Sequence, residues 1–317
     1  NIGSRPVDFH IKALKKMGAK LVKEGEYTYL QIEDRLHGAD IHLDYPSVGA
    51  TEQIIFASVL AEGKTELTNA AVEPEILDLI GMLQKMGANI RFKDTRHITI
   101  EGVEKLSGYN HYPIVDRIEA ASCACAALVT DGKIKIKNAR HMDMLAFINK
   151  FQQAGGGFEI QSDGIVFYRK QKEIQPVKIE TNVHPGYMTD WQQPFTLALT
   201  QAVGASIVHE TVYEERFGYV KTLNDMGADI QLSKDCLGGT TCRFNNRNYF
   251  HSAIIHGKTP LKAQEIAVPD LRAGFTYVIA ALVAEGVSTI TNVQTIYRGY
   301  EFFVEKLKSL GAEIIEG

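Results

Sequence analysis

Internal repetition is the feature that most constrains how this chain can fold. One mark appears as "MGAKL" at 17, "MGANI" at 86, "AGGGFEI" at 154, "MGADI" at 226 and "LGAEI" at 310. Each copy follows an amphipathic run and leads into a β-like segment. A second mark alternates with it: "VLAEGKTELTNA" at 59, "LVTDGKIKIKNA" at 128, "TQAVGASIVHETV" at 200 and "LVAEGVSTITNV" at 282. Both recur about every seventy residues, a period that belongs to repeated supersecondary units.

The stretch "EPEILDLIGMLQKMGANI" shows how one mark works. Pro74 suits a first helical turn, with Glu73 and Glu75 near the positive helix end. Ile76, Leu79, Ile80, Leu83 and Met86 follow helical spacing, and Gly87 is placed to stop the helix. The second mark follows long, mostly apolar helices that should begin near Ser47, Asp116, Asp190 and Asp270. The run 116–130 is apolar nearly all round, which predicts a buried helix.

The unit therefore reads as βαβαββ. Four copies, whole or partial, fall at about 45–110, 112–177, 187–265 and 267–317, and residues 1–44 supply the second half of another. The stretch "CLGGTTCRFNNRNYFHSAIIHG" lengthens the third copy around 236–257 and is expected to form an extended hairpin.

Composition narrows the function classes. The 317 residues carry a net charge of −4, against the basic surface that nucleic-acid or membrane binding requires. No apolar run approaches the ~20 residues that span a bilayer, and the start lacks the basic-then-apolar order of a signal peptide. Four cysteines are too few to staple a chain this long. Cys123 and Cys125 point to different helix faces, and Cys236 and Cys242 lack the CxxC spacing of a zinc site. The ten histidines show neither HxH nor HExxH spacing. The expectation is reduced thiols in a cytoplasm, with no metal.

Arginines cluster where helix electrostatics disfavours them. Arg5, Arg117, Arg216, Arg272 and Arg298 all stand near expected helix starts. A cation there costs roughly 0.3–1 kcal/mol at exposed sites. Five such arginines suggest an anion among them, because helix N–H groups and guanidinium together clamp phosphate or carboxylate. The alternative is pairing with the adjacent Asp116, Glu215 and Asp270. Asp190, in "HPGYMTDWQQPFTLAL", reads either as a helix N-cap or as a carboxylate able to take a proton from a substrate hydroxyl. The chain has no nucleophile elbow, Walker loop or GxGxxG.

Taken in order on the repeat, "IGSRPVDFH", "PSVGAT", "EPEILD", "HPGYMTDWQQPFT", "ETVYEERFGYV", "DLRAG" and "YRGYE" resemble the UDP-N-acetylglucosamine enolpyruvyl (1-carboxyvinyl) transferases. The resemblance covers essentially the whole chain outside 236–257. It implies an α/β (α+β) fold: repeated βαβαββ units forming two similar three-unit domains around buried helices, an inverse α/β barrel. Here it would be incomplete at the N-terminus, with residues 1–114 as the remainder of one domain and 115–317 as most of the other. The resemblance places the active site between them.

It further implies transfer of enolpyruvyl from phosphoenolpyruvate to the 3′-hydroxyl of the sugar nucleotide, the first committed step of peptidoglycan synthesis, with phosphoenolpyruvate as co-substrate and no cofactor. Carried over residue by residue, Asp190 is the base, and Arg5, Arg272 and Arg298 hold phosphoenolpyruvate, with Arg216 another arginine of that kind. Arg5, Pro6, Val7, Asp8 and Phe9 line the uridine nucleotide. Ser47, Val48 and Gly49 contact its diphosphate, and Val212 contacts the sugar nucleotide. Tyr45 stands where the family commonly has Lys. The family's Lys-Asn pair, an early Arg and its loop acid, Cys or Asp, would precede Asn1, so association with such a segment is expected. The competing expectations are a non-catalytic sugar-nucleotide-binding protein and an RNA-end-processing protein of related repeat fold.

Overall fold

The computed structural model describes residues 7–23, 27–239 and 241–317. The chain divides into two compact units, Asn1–Ile114 and Val115–Gly317. Each has a separate hydrophobic core.

The first unit runs α1 (Asp8–Lys16), β1 (Lys20–Lys23), β2 (Tyr29–Gln31), β3 (Asp40–His42), α2 (Val48–Ser58), β4 (Lys64–Thr68), α3 (Pro74–Lys85), β5 (Asn89–Asp94) and β6 (His97–Glu101). From β3 onward this is one complete βαβαββ unit. Its sheet order is β3-β4-β6-β5, with β3 and β4 parallel and the other pairs antiparallel. α3 buries Ile76, Ile80 and Leu83, as its spacing predicts, each side chain contributing roughly 1.5–3 kcal/mol.

The second unit opens with α4 (Arg117–Val129), β7 (Lys133–Lys137), α5 (Leu145–Gln153), β8 (Gly156–Gln161) and β9 (Gly164–Arg169), whose strands order β7-β9-β8. Then come β10 (Lys178–Glu180), α6 (Gln192–Leu199), β11 (Gly204–His209), α7 (Val220–Asp225), β12 (Asp229–Ser233) and β13 (Ser252–Gly257). Their sheet order, β10-β11-β13-β12, repeats the first unit's topology strand for strand. β14 (Glu265–Ala267), α8 (Leu271–Val283) and β15 (Thr289–Thr291) start a further copy with a parallel pair, followed by α9 (Gln294–Tyr297) and α10 (Phe303–Ser309). Helices α4, α6 and α8 pack on one another, and every residue of α6 is buried.

The repeated marks have a structural explanation. Gly18, Gly87, Gly155, Gly227 and Gly311 all have φ between +92° and +107°, a region that side chains with a Cβ rarely adopt. The "MGA" mark is thus a helix stop written five times. The asparagine of the second mark is equally specific. Asn69 and Asn292 take left-handed backbones, and their amides donate to the carbonyls of Leu43 and Val268, each at 2.7 Å, just past the neighbouring strand.

Two sequence expectations shift. The units begin earlier than 45 and 187, because each opens on a three-residue strand ("DIH" at 40–42, "KIE" at 178–180) too short to show periodicity. The expected hairpin over 236–257 is strand only at Ser252–Gly257. The described part of 234–251 is turns and irregular backbone, consistent with its glycines and asparagines, which favour turns over a ladder.

Candidate functional site

In the second unit, a short 3-10 turn (Thr189–Trp191) precedes α6 and carries Asp190. The sequence allows Asp190 to be an N-cap, but the structure does not use it so. The residue capping the 3-10 turn is Met188, the one capping α6 is Trp191, and neither makes a side-chain cap. Asp190 instead faces two guanidiniums. One carboxylate oxygen accepts from Arg216 Nη2, and the other lies 3.7 Å from Arg272 Nη2. All three side chains are largely buried, so water screens the pairs less than at an open surface.

The helix starts explain why these arginines are not spent on their neighbours. Asp116 accepts from the N–H groups of Ile118 (2.7 Å) and Glu119 (3.2 Å) at the head of α4. Asp270 accepts from Arg272 N (2.9 Å) and Ala273 N (3.0 Å) at the head of α8. Both carboxylates cap helices, leaving the Arg272 side chain to reach Asp190. Arg272 also hydrogen-bonds the Tyr300 hydroxyl, and Tyr300 in turn meets Ser122 Oγ at 3.1 Å and stacks on Phe275. Burial pushes the Tyr300 hydroxyl up to about 12, so it stays protonated.

Glu210 is the member of the site that sequence reasoning missed, although it sits inside the quoted "ETVYEERFGYV". It is fully buried and accepts four hydrogen bonds. Two come from the hydroxyls of Thr181 and Thr189, each at 2.9 Å. Two come from the backbone N–H groups of Val212 (2.8 Å) and Tyr213 (3.0 Å). One carboxylate thus ties the residue before Asp190 to the loop that carries Arg216. A buried acid is legible in sequence only through its fold, because nothing local marks it as buried.

Arg216 does not open a helix; it precedes α7 in a turn, its guanidinium 5.1 Å from the Tyr213 ring centroid. Its buried Nε has no acceptor among the described residues. Val212, expected to contact the sugar nucleotide, is half-buried in the same loop. Arg117 does lie in the first turn of α4, where it is buried against the Trp191 ring. Arg298 departs from expectation: it is exposed at the end of α9, not at a helix start, and no described contact joins it to Asp190.

In the first unit, Val7, Asp8 and Phe9 stand at the head of α1, and Ser47, Val48 and Gly49 at the head of α2. Ser47 caps α2 by accepting from Ala50 N at 3.4 Å. The two helices pack on each other, with His10 of α1 hydrogen-bonded to Gln53 of α2. Val48 and Gly49 are exposed, so the free N–H groups of this helix start are open to a ligand. Arg5 and Pro6, expected to line the nucleotide, lie outside the described residues.

Comparison with known proteins follows this geometry. The EPSP synthase (3-phosphoshikimate 1-carboxyvinyltransferase) family matches residues 1–307. The UDP-N-acetylglucosamine 1-carboxyvinyltransferase of Protochlamydia amoebophila is 50% identical over 99% of this chain and 68% of its own length. That of Chlamydia abortus is 48% identical over 99% of this chain and 71% of its own. Among solved structures, the enolpyruvyl transferase NikO from Streptomyces tendae superposes with a TM-score of 0.84 at 22% identity, over 98% of this chain and 72% of that one. These similarities leave the RNA-processing and non-catalytic expectations unsupported. The chain belongs to the enolpyruvyl transferase family, with the UDP-N-acetylglucosamine 1-carboxyvinyltransferases among its near relatives.

Proposed function

We propose that this protein transfers the enolpyruvyl group of phosphoenolpyruvate to the 3′-hydroxyl of UDP-N-acetylglucosamine, in the synthesis of peptidoglycan precursors. The observation that carries the reading is the Asp190 carboxylate held between Arg216 and Arg272 rather than spent on a helix cap. The reaction requires a base near the hydroxyl and cations near the phosphate and carboxylate of phosphoenolpyruvate. Asp190 supplies the base. Arg272, anchored by Tyr300, and Arg216, whose Nε–H has no acceptor among the described residues, supply donors for the anion. As the hydroxyl adds to C2, phosphoenolpyruvate C3 takes a proton. Loss of phosphate from the tetrahedral ketal, together with a proton from C3, then restores the C2–C3 double bond.

Arg298 belongs to the same anion set on the family pattern, and Arg5, with residues 6–9, to the nucleotide contacts. The exposed head of α2 offers N–H groups to the diphosphate, a helix-end device that needs no further cation. No described helix is long and apolar enough to cross a membrane. A cytoplasmic site of action fits that and the phosphorylated substrates.

The test is the reaction itself, measured as phosphate release that depends on both substrates. Asp190→Ala should lower turnover about 10²–10⁴-fold while nucleotide binding by calorimetry changes only a few-fold. Near-normal turnover in that variant rejects Asp190 as base. Absence of transfer by the intact wild-type enzyme, with the nucleotide still bound, rejects the proposed reaction.

A further inference from the structure

Four side chains outside this site converge at one end of the β10-β11-β13-β12 sheet. His209 ends β11, Cys236 follows the end of β12, His251 immediately precedes β13, and Cys242 lies in the loop between. His209 and Ser233 both pair with Ser252, so the three strand ends are level. One ligand atom from each of the four residues lies within 4.8 Å of all the others. Spacing along the chain argues against a metal at these cysteines, but spacing speaks only for ligands supplied by short local loops. Here the fold supplies them.

We propose that His209, Cys236, Cys242 and His251 form a structural zinc site. Cys236 Sγ lies 3.6 Å from Cys242 Sγ and 3.5 Å from His251 Nε2. A tetrahedron with Zn–S of about 2.3 Å and Zn–N of about 2.0–2.1 Å has edges of roughly 3.8 Å between sulfurs and 3.5 Å between sulfur and nitrogen. These two separations match, and all four ligand atoms lie within 4.8 Å of one another. A disulfide would need about 2.05 Å between the sulfurs, and all four cysteines are free thiols.

The surroundings are those of metal ligands. His209 is fully buried, and neither ring nitrogen has a hydrogen-bond partner among the described residues. A buried imidazole is not left so without cost. The Glu180 carboxylate lies 3.5 Å from His209 Nδ1, close enough to orient the ring, and Nε2 has no hydrogen-bond partner among the described residues. Glu180 is itself fixed by the Gly239 N–H. His251 Nδ1 meets the Tyr249 carbonyl at 2.9 Å, which sets the tautomer that leaves Nε2 free to bind. The Phe244 N–H points at Cys242 Sγ from 3.4 Å and would stabilise a thiolate.

Gly238 closes over the group so tightly that an added Cβ would lie 1.8 Å from His209 Nδ1 and 2.1 Å from Glu180 Oε2. With four protein ligands the site has no open position for substrate, so its role is structural. It would pin the loop 234–251, whose described residues make no strand pairing.

The experiment is metal analysis of untagged protein purified without chelator, alongside Cys236→Ser and Cys242→Ser, singly and together. The expectation is about one zinc per chain in the wild type and less than a tenth of that in the double variant. Cobalt added to metal-stripped wild type should give the intense visible absorption of a tetrahedral thiolate complex, and zinc should protect 234–251 from proteolysis. If the serine variants do not fold, the wild-type stoichiometry and cobalt spectrum decide. Zinc-free protein that gives no tetrahedral cobalt spectrum overturns the site, as does full zinc retention in a folded double variant.

Discussion

Glu210 holds together the part of the second unit that carries Asp190 and Arg216. Its four hydrogen bonds stabilise a buried charge that water would otherwise hold. Burial still wins, raising its carboxyl above the ordinary 4.5, with the N–H groups of Tyr213 and Val212 and the charge of Arg216 opposing it. A carboxyl raised on folding binds more protons in the folded state than in the unfolded one. Stability from this group is therefore full below about 4.5 and is lost as pH rises through the raised value. The Tm of Glu210→Gln, measured beside wild type across pH, should show it: wild type should lose ground to the variant as pH climbs from 4.5. The same variant should lower turnover, because the loop bearing Arg216 loses its anchor. A Tm difference independent of pH would mean that Glu210 does not titrate on folding. At this scale the sequence showed which residues carry charge. It did not show that Asp116 and Asp270 cap helices while Asp190, in a similar-looking context, does not.

At the scale of elements, local chemistry was the most readable part of the chain. Pro74, the spacing of Ile76, Ile80 and Leu83, and Gly87 place α3 almost to the residue. Gly87 offers a clean check, since its φ is +104° and nothing lies within 4 Å of where a Cβ would stand. Gly87→Ala should therefore cost about 1–2 kcal/mol from backbone strain alone, read as a lower midpoint in urea with unchanged slope. No loss would mean that the turn relaxes to another stop. Elements without periodicity were not readable. The strands at 40–42 and 178–180 exist because they pair with β4 and β11, and three residues cannot announce that. The helix-start placement of Arg298 was unreadable for a related reason: α9 and α10 are short, α9 packs on α8, and Phe303 of α10 meets the Phe275 ring of α8.

For the whole molecule, the repeat turns one local solution into a fold. Two copies share the same strand order although their sequences differ, because both bury one sheet face and one helix stripe against each other. The second unit's core centres on Phe147, whose ring meets those of Phe151, Phe167, Trp191 and Phe195 within 6.2 Å. Phe147→Ala should cost about 3–5 kcal/mol. The single Trp of the chain, Trp191, lies in that core beside Asp190, so its fluorescence reports the loss directly. A shift under about 1 kcal/mol would mean that the ring cluster repacks around the vacancy.

The sequence by itself determined the repeat, the class of each long helix, the glycine and asparagine stops and the family. These are local or periodic, and a chain carries local preference on its face. Only the tertiary structure decided which carboxylate is left for two arginines, that Glu210 is buried between two threonines and a loop, and that two histidines and two cysteines scattered over 209–251 meet at one sheet end. Those facts depend on contacts between residues far apart in sequence. They arise only when burying the apolar faces fixes how the strands align, and the polar side chains at the strand ends then meet as a consequence.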